Sequence, residues 1–180
     1  LQRSPKVQRK IIEDLNAIEA TESSSHRDPW MKCESLDHAL REAMRLEPPV
    51  PLYFRNSNRE KEVVLAGHTL PPNTMLLITN WYLHRCESHW DAPLEYRPDR
   101  WANGNAARNP IGSDYFFPFG RGPRTCIGQA FAMFFMKTAL AELLRSRKLQ
   151  IVPEQSLNND FFFAVRHPKG LQATFSAPNS

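Results

Sequence analysis

One stretch of the chain holds residue types that could do chemistry: Phe117-Pro118-Phe119-Gly120-Arg121-Gly122-Pro123-Arg124-Thr125-Cys126-Ile127-Gly128. It joins a cysteine, glycines that allow tight backbone turns, and two arginines. An apolar, helix-like run, residues 129–144, follows at once. Cys126 is therefore expected at or just before a helix N-terminus. The partial positive charge of such an end, with Arg124 nearby, favours an anionic sulfur. A sulfur of that kind is a nucleophile or a metal ligand.

Three features favour the ligand. None of the six histidines sits in a recognisable Cys-His catalytic setting. Glycines two and four residues from the sulfur suit a backbone that passes close to something large and flat. An arginine beside the sulfur suits a bidentate partner such as a carboxylate. Taken alone, Cys126 reads better as a buried structural cysteine ahead of a helix.

The spacing Phe119-x-x-Gly122-x-Arg124-x-Cys126-x-Gly128 fixes five of ten positions. It resembles the haem-binding loop of the cytochrome P-450 family, the haem-thiolate monooxygenases. A second stretch supports the resemblance: Leu40-Arg41-Glu42-Ala43-Met44-Arg45-Leu46-Glu47-Pro48-Pro49-Val50-Pro51 is similar to the family's Glu-x-x-Arg helix and its proline-rich exit. As an isolated pair, Glu42 and Arg45 would be a surface ion pair worth ~0.3 kcal/mol. The resemblance instead implies a buried network with a third member. Tyr96-Arg97-Pro98-Asp99-Arg100-Trp101 matches the family's downstream segment, so Arg100 takes that place.

The resemblance implies a fold that is mainly α with small β-sheets (α+β), the C-terminal half of the cytochrome P-450 fold. It covers nearly the whole chain as one domain. The expected parts are a helix at 5–20, the Glu-x-x-Arg helix at 31–46, a small sheet at 50–79 and a meander at 90–110. The haem loop at 116–128, a proximal helix at 128–147 and C-terminal strands at 149–175 complete it. The family's N-terminal half, with its long distal helix, is absent from this reading, and the chain is expected to be part of a longer one.

It also implies haem b, iron protoporphyrin IX, with Cys126 as axial thiolate ligand. Phe119, Gly122, Arg124, Gly128 and Ala132 would line the cofactor. Arg55 falls where the family places a basic residue on a haem propionate; a solvated strand-end charge is the other reading. Val50, Pro51, Leu52 and Tyr53 would contact a hydrophobic small-molecule substrate. O2 is the expected co-substrate, with electrons from NADPH arriving through a redox partner. A flavin reductase on the proximal face is the partner type implied, with Arg121 and Lys137 expected on a basic face there. Eukaryotic members of this kind sit on the endoplasmic reticulum membrane; otherwise the location would be cytoplasmic. One departure is Phe135, which stands where many members carry glutamate. A catalytically silent truncated remnant, or a haem-thiolate isomerase or dehydratase, are the alternatives.

Local patterns supply the elements. Ser4-Pro5 suits a helix start, and Val7, Ile11, Leu15 and Ile18 recur at helical spacing. Leu36, Ala39, Leu40, Ala43 and Met44 form one face of the next helix, which Pro48-Pro49 ends. Runs 52–54, 62–66 and 74–79 read as strands, with turns at Gly67-His68 and Pro71-Pro72-Asn73. His84 reads as a structural hydrogen-bonding histidine or, in isolation, a metal ligand. Residues 102–109 read as a polar loop. Runs 149–152, 161–165 and 171–175 read as closing strands, with Phe161, Phe162 and Phe163 in the core or against a pocket.

Bulk properties agree. The 180 residues are enough for one sizeable core, with 41% apolar and 23% charged residues. A net charge of +4 and a pI near 9.1 come without any basic run, so nucleic-acid binding is not expected. Cys33, Cys86 and Cys126 are far apart, which argues against a disulfide framework or a zinc site and fits a reducing compartment.

Overall fold

The computed structural model describes residues 4–21, 28–102, 115–152, 159–162 and 165–176. Three helices make the frame: α1 (Pro5–Thr21), α2 (Glu34–Leu46) and α4 (Gln129–Ser146). A short helix, α3 (Asn80–Leu83), lies between the last two in sequence. Proline opens α1 because its missing N–H costs nothing in a first turn. The stripe read from the sequence points Ile11 and Leu15 into a core with Cys33, Leu36, Ala39, Leu40, Ala141 and Leu144. Burying each large apolar side chain is worth roughly 1.5–3 kcal/mol.

A continuous helix from residue 31 does not form. Pro29–Lys32 makes a single 3-10 turn, and Cys33 is extended (φ −69°, ψ 99°) before α2 begins. Cys33 is buried in the first core, and its extended backbone lets that side chain enter it. α2 then carries Glu34 and Asp37 in its first turn and Arg45 in its last, the charge order that suits the helix dipole.

Among the described residues the strands form four separate two-stranded antiparallel pairs. β1 (Tyr53–Asn56) pairs with β4 (Met75–Ile78), with Tyr53 opposite Ile78. Between them β2 (Val63–Leu65) and β3 (His68–Leu70) form a hairpin. Its turn falls on Ala66 and Gly67, both at positive φ (50° and 82°), which places His68 in β3 rather than in the turn. β5 (Lys148–Ile151) pairs with β8 (Ala173–Ser176), and β6 (Asn159–Phe162) pairs with β7 (Val165–Pro168). The strand expected at 161–165 instead takes in the end of β6 and the start of β7, which pair with each other. The side chains of Phe161 and Phe162, and all of Phe163, lie outside the described residues, as does loop segment 103–109.

A second core, Met44, Trp90, Trp101 and Phe116, lies beside a buried ionic centre. Glu42 and Arg45 are both fully buried. The Glu42 carboxylate accepts five N–H donors. Arg45 Nη2, Arg100 Nε and the Arg97 backbone N–H reach Oε1, each at 2.9 Å. Oε2 accepts from Arg45 Nε at 2.9 Å and from Trp101 Nε1 at 3.0 Å. Arg45 in turn gives its remaining donors to three carbonyls: His84 (2.6 Å), Pro93 (2.7 Å) and Glu95 (3.1 Å). Arg100 reaches the Asp91 and Ala92 carbonyls at 2.8 and 3.2 Å. The irregular segment 84–101 is thereby fastened by its own backbone to α2.

Burial pushes the Glu42 carboxyl up, but its hydrogen bonds from Arg45 and Arg97 and the charges of Arg45 and Arg100 hold it below its ordinary value of 4.5. Its contribution to stability is therefore present above that pH and fades as the pH falls below it. Glu42→Gln turns one acceptor oxygen into an NH2 facing donors. We expect it to cost about 3–5 kcal/mol at pH 7, read from urea-denaturation midpoints. The gap from wild type should narrow steadily below about pH 4.5, where the unfolded wild-type chain takes up a proton at Glu42 before the folded one does. A gap independent of pH would show that the charge of Glu42 is not what stabilises the segment.

Candidate functional site

The cysteine loop leaves the second core at Phe116, which is buried against Trp101 with ring centroids 4.6 Å apart. Gly120 N–H then closes a turn on the Phe117 carbonyl at 2.9 Å. Gly120 and Gly122 both adopt positive φ (75° and 73°), which a side chain would strain. Gly122–Arg124 makes one 3-10 turn, with Thr125 N–H on the Gly122 carbonyl at 3.0 Å. The loop closes where Cys126 N–H reaches the Phe119 carbonyl at 2.9 Å. Cys126 stands two residues before Gly128, the N-cap of α4.

This geometry gives each sequence-derived candidate a place. Cys126 is exposed. Gly128 flanks it: a Cβ built on Gly128 would stand 3.8 Å from the Cys126 sulfur, so glycine leaves that flank clear. Ala132 N–H bonds the Gly128 carbonyl at 2.8 Å, which puts Ala132 one helical turn on, half-buried. Gly122 and Arg124 are exposed. Phe119 is half-buried against the second core. Ile127 (103% exposed), Phe131 (71%) and Phe135 (62%) form an uncovered apolar surface beside the cysteine.

Arg55 and Tyr53 come from β1. Arg55 is half-buried, its Nη1 donating to the Phe54 carbonyl at 2.8 Å and its guanidinium 5.9 Å from the Tyr53 ring. The Tyr53 hydroxyl donates to the Pro118 carbonyl at 2.9 Å and approaches that of Phe117 at 3.3 Å. Burial pushes its phenol up, and the neighbouring Cys126 adds to that shift. Val50 and Leu52 are half-buried and Pro51 is buried. The Val50 and Pro51 carbonyls are held by Asn80 Nδ2 (2.8 Å) and Trp81 N–H (3.0 Å).

Lys137 corrects an expectation. It is buried, pairs with Asp37 at 2.8 Å and donates to the Met31 carbonyl at 3.2 Å. It ties α4 to α2 and is not part of an exposed basic face. Arg121 is exposed. Arg121 also lines a cavity of about 430 Å3 behind the loop, with Arg41, Met44, Phe119 and Met133.

Several contacts that shape the site carried no local signal in the sequence. Trp101 and the Arg97 N–H join Glu42 because the 3-10 turn Pro98–Trp101 brings them to one side with Arg100. Tyr53 and His84 meet the loop from positions 64 and 33 residues upstream of Phe117. No local pattern records contacts of that separation.

The donor set can be tested against a haem. Among the described residues no group of three His, Cys, Asp or Glu side chains could hold a metal ion by itself. A lone exposed thiol suits a metal that brings its other ligands with it, as porphyrin iron does. The clear flank at Gly128 and the apolar surface beside it suit a flat apolar macrocycle. The residues present fit the group.

Comparison with known proteins places the chain in a family. The sequence model described as Cytochrome P450 matches residues 1–175. The chain is 31% identical over 171 residues to a probable cytochrome P450 4d20 of Drosophila melanogaster, covering 94% of this chain and 32% of the relative. It is 34% identical over 142 residues to cytochrome P450 3A12 of Canis lupus familiaris, covering 79% of the chain and 27% of the relative. It is 30% identical over 154 residues to cytochrome P450 3A56 of Fundulus heteroclitus, covering 86% and 30%. The chain spans about a third of the length of such relatives. On the match over residues 1–175 and these identities, the chain belongs to the cytochrome P450 family.

Proposed function

We propose that this chain supplies the thiolate side of a haem monooxygenase that inserts one oxygen atom of O2 into an apolar organic substrate. The observation that carries the reading is Cys126, exposed on a loop fixed by two positive-φ glycines and by its own N–H on Phe119. Haem held by a cysteine thiolate supplies the electron push that favours O–O cleavage. The chain's own residues have simpler tasks. Cys126 holds the iron. Phe119, packed against the second core, would help keep water from the sulfur once haem covers the exposed face. Arg124 and Arg55 offer cationic groups to the haem propionates. Gly122, Gly128 and Ala132 keep the backbone close and the flank clear. Val50, Pro51, Leu52 and Tyr53 border the substrate through their apolar parts.

Electrons would come from NADPH through a flavin reductase, for which Arg121 offers an exposed cation beside the loop. Among the described residues no helix is long and apolar enough to cross a membrane.

The full-length protein should show, when reduced under carbon monoxide, the strongly red-shifted band of a thiolate-ligated iron. Cys126→Ser should abolish that band. A band that persists in the serine variant would overturn the assignment of Cys126. Lys137→Ala should cost about 2 kcal/mol in denaturant titrations, from the lost charged hydrogen bonds. It should leave the rate of reductase-driven reduction unchanged. A slowed reduction at unchanged stability would return Lys137 to the partner surface.

A further inference from the structure

The Phe117 peptide is gripped on both sides. Its N–H donates to His84 Nε2 at 3.2 Å. Its carbonyl lies 3.3 Å from the Tyr53 hydroxyl, which also donates to Pro118 at 2.9 Å. Behind the grip stand two fully buried side chains, His84 and Asn80, at the two ends of α3. Asn80 Nδ2 holds the Val50 carbonyl at 2.8 Å and approaches the Tyr53 hydroxyl at 3.4 Å. The His84 backbone carbonyl accepts from Arg45 at 2.6 Å. One short helix therefore joins the buried ionic centre to the peptide from which the cysteine loop departs.

We propose that His84 and Tyr53 are positioning residues for Cys126: they clamp the Phe117 peptide, His84 doing so as a neutral imidazole with its proton on Nδ1 and its Nε2 lone pair on the Phe117 N–H. The step from Phe117 to the cysteine is short. Gly120 N–H is bonded to the Phe117 carbonyl, and Cys126 N–H to the Phe119 carbonyl. A displaced Phe117 peptide moves both anchors of the loop.

The surroundings of His84 favour that state. The charges that bear on it are Arg45 of α2 and Arg85 of its own turn, both repelling an imidazolium. The carbonyls of Met44 and Arg45 lie toward the imidazole, but Nδ1 meets no acceptor in hydrogen-bonding geometry among the described residues. The loop presents the Phe116 and Phe117 rings, with centroids at 5.2 and 5.7 Å. Burial and then the charge of Arg45 bring the His84 pKa from 6.5 down to about 4. The neutral ring therefore contributes stability that is fully present above pH 6.5 and is lost as the pH falls through about 4. A protonated ring would also set an N–H against the Phe117 N–H.

The consequence for iron ligation rests on the haem-thiolate reading; the clamp itself does not. Three measurements on the full-length protein test it. Histidine nitrogen shifts in the diamagnetic reduced carbon-monoxide complex should place the His84 proton on Nδ1 and show no titration between pH 8 and 5. A proton on Nε2, or titration near 6.5, overturns the proposal. Next, His84→Gln keeps an acceptor without a titrating group, whereas His84→Leu removes it. The Phe117 amide should exchange about five- to tenfold faster in His84→Leu and close to the wild-type rate in His84→Gln. Equal exchange in all three proteins overturns the clamp even if both variants lose stability. Last, Tyr53→Phe should weaken the red-shifted band at neutral pH, although its ring is retained. A band unchanged in both Tyr53→Phe and His84→Leu rejects the positioning role. A wild-type protein with no such band sinks the haem-thiolate reading instead, and the exchange rates still decide the clamp.

Discussion

The fold depends on how one buried carboxylate is satisfied. An ionised glutamate removed from water is costly unless every lone pair finds a donor. Glu42 finds five, from two arginines, an indole and a peptide N–H. Arg45 meets the same demand with five donors, two on Glu42 and three on carbonyls of residues 84–95. Those carbonyls belong to a segment with little regular structure of its own. Its shape comes from charges on α2 rather than from a ladder of its own backbone bonds.

The cysteine loop inherits that order. Trp101 donates to Glu42 and packs on Phe116, where the loop begins. Trp90 lies under the Arg45 guanidinium at 4.9 Å and shares the same core. His84 gives its carbonyl to Arg45 and its Nε2 to Phe117. A shift in the ionic centre therefore reaches residue 117 by three routes, two aromatic and one polar. The loop itself adds little beyond local turns set by Gly120 and Gly122. An exposed thiol carried on such a loop is as well placed as the buried centre beneath it.

Much of this was legible in the sequence because the informative features are local. Helical periodicity marked Ile11 and Leu15 of α1 and Leu36, Ala39, Leu40 and Met44 of α2, whereas Ala43, read onto the same face, is exposed. Proline and glycine marked the end of α2 and the turns of the loop. The spacing around Cys126 pointed to the family, to which the matched relatives attach the chain. What sequence reasoning mistook or missed depends on distant contacts. Lys137 reads as a solvated charge in a linear chain, but Asp37 captures it from another helix. The break falls at Cys33, whose side chain lies in the first core, and no local propensity marks it. The end of β6 and the start of β7 merged into one expected strand because a continuous apolar run gives no sign of a boundary between two strands. The apolar surface of Ile127, Phe131 and Phe135 could not be told from a core-facing stripe, since periodicity does not say what covers a face.

The account turns on whether the charge of Glu42 governs the order of a loop 75 residues away in sequence. Amide hydrogen exchange across residues 117–126, compared between wild type and Glu42→Asp at neutral pH, tests this directly. Aspartate keeps the charge but is one methylene too short to meet all five donors. The account predicts faster exchange at Gly120 and Cys126, whose N–H groups close the loop, as well as along 84–101. Faster exchange confined to 84–101, with the loop as protected as before, would contradict it.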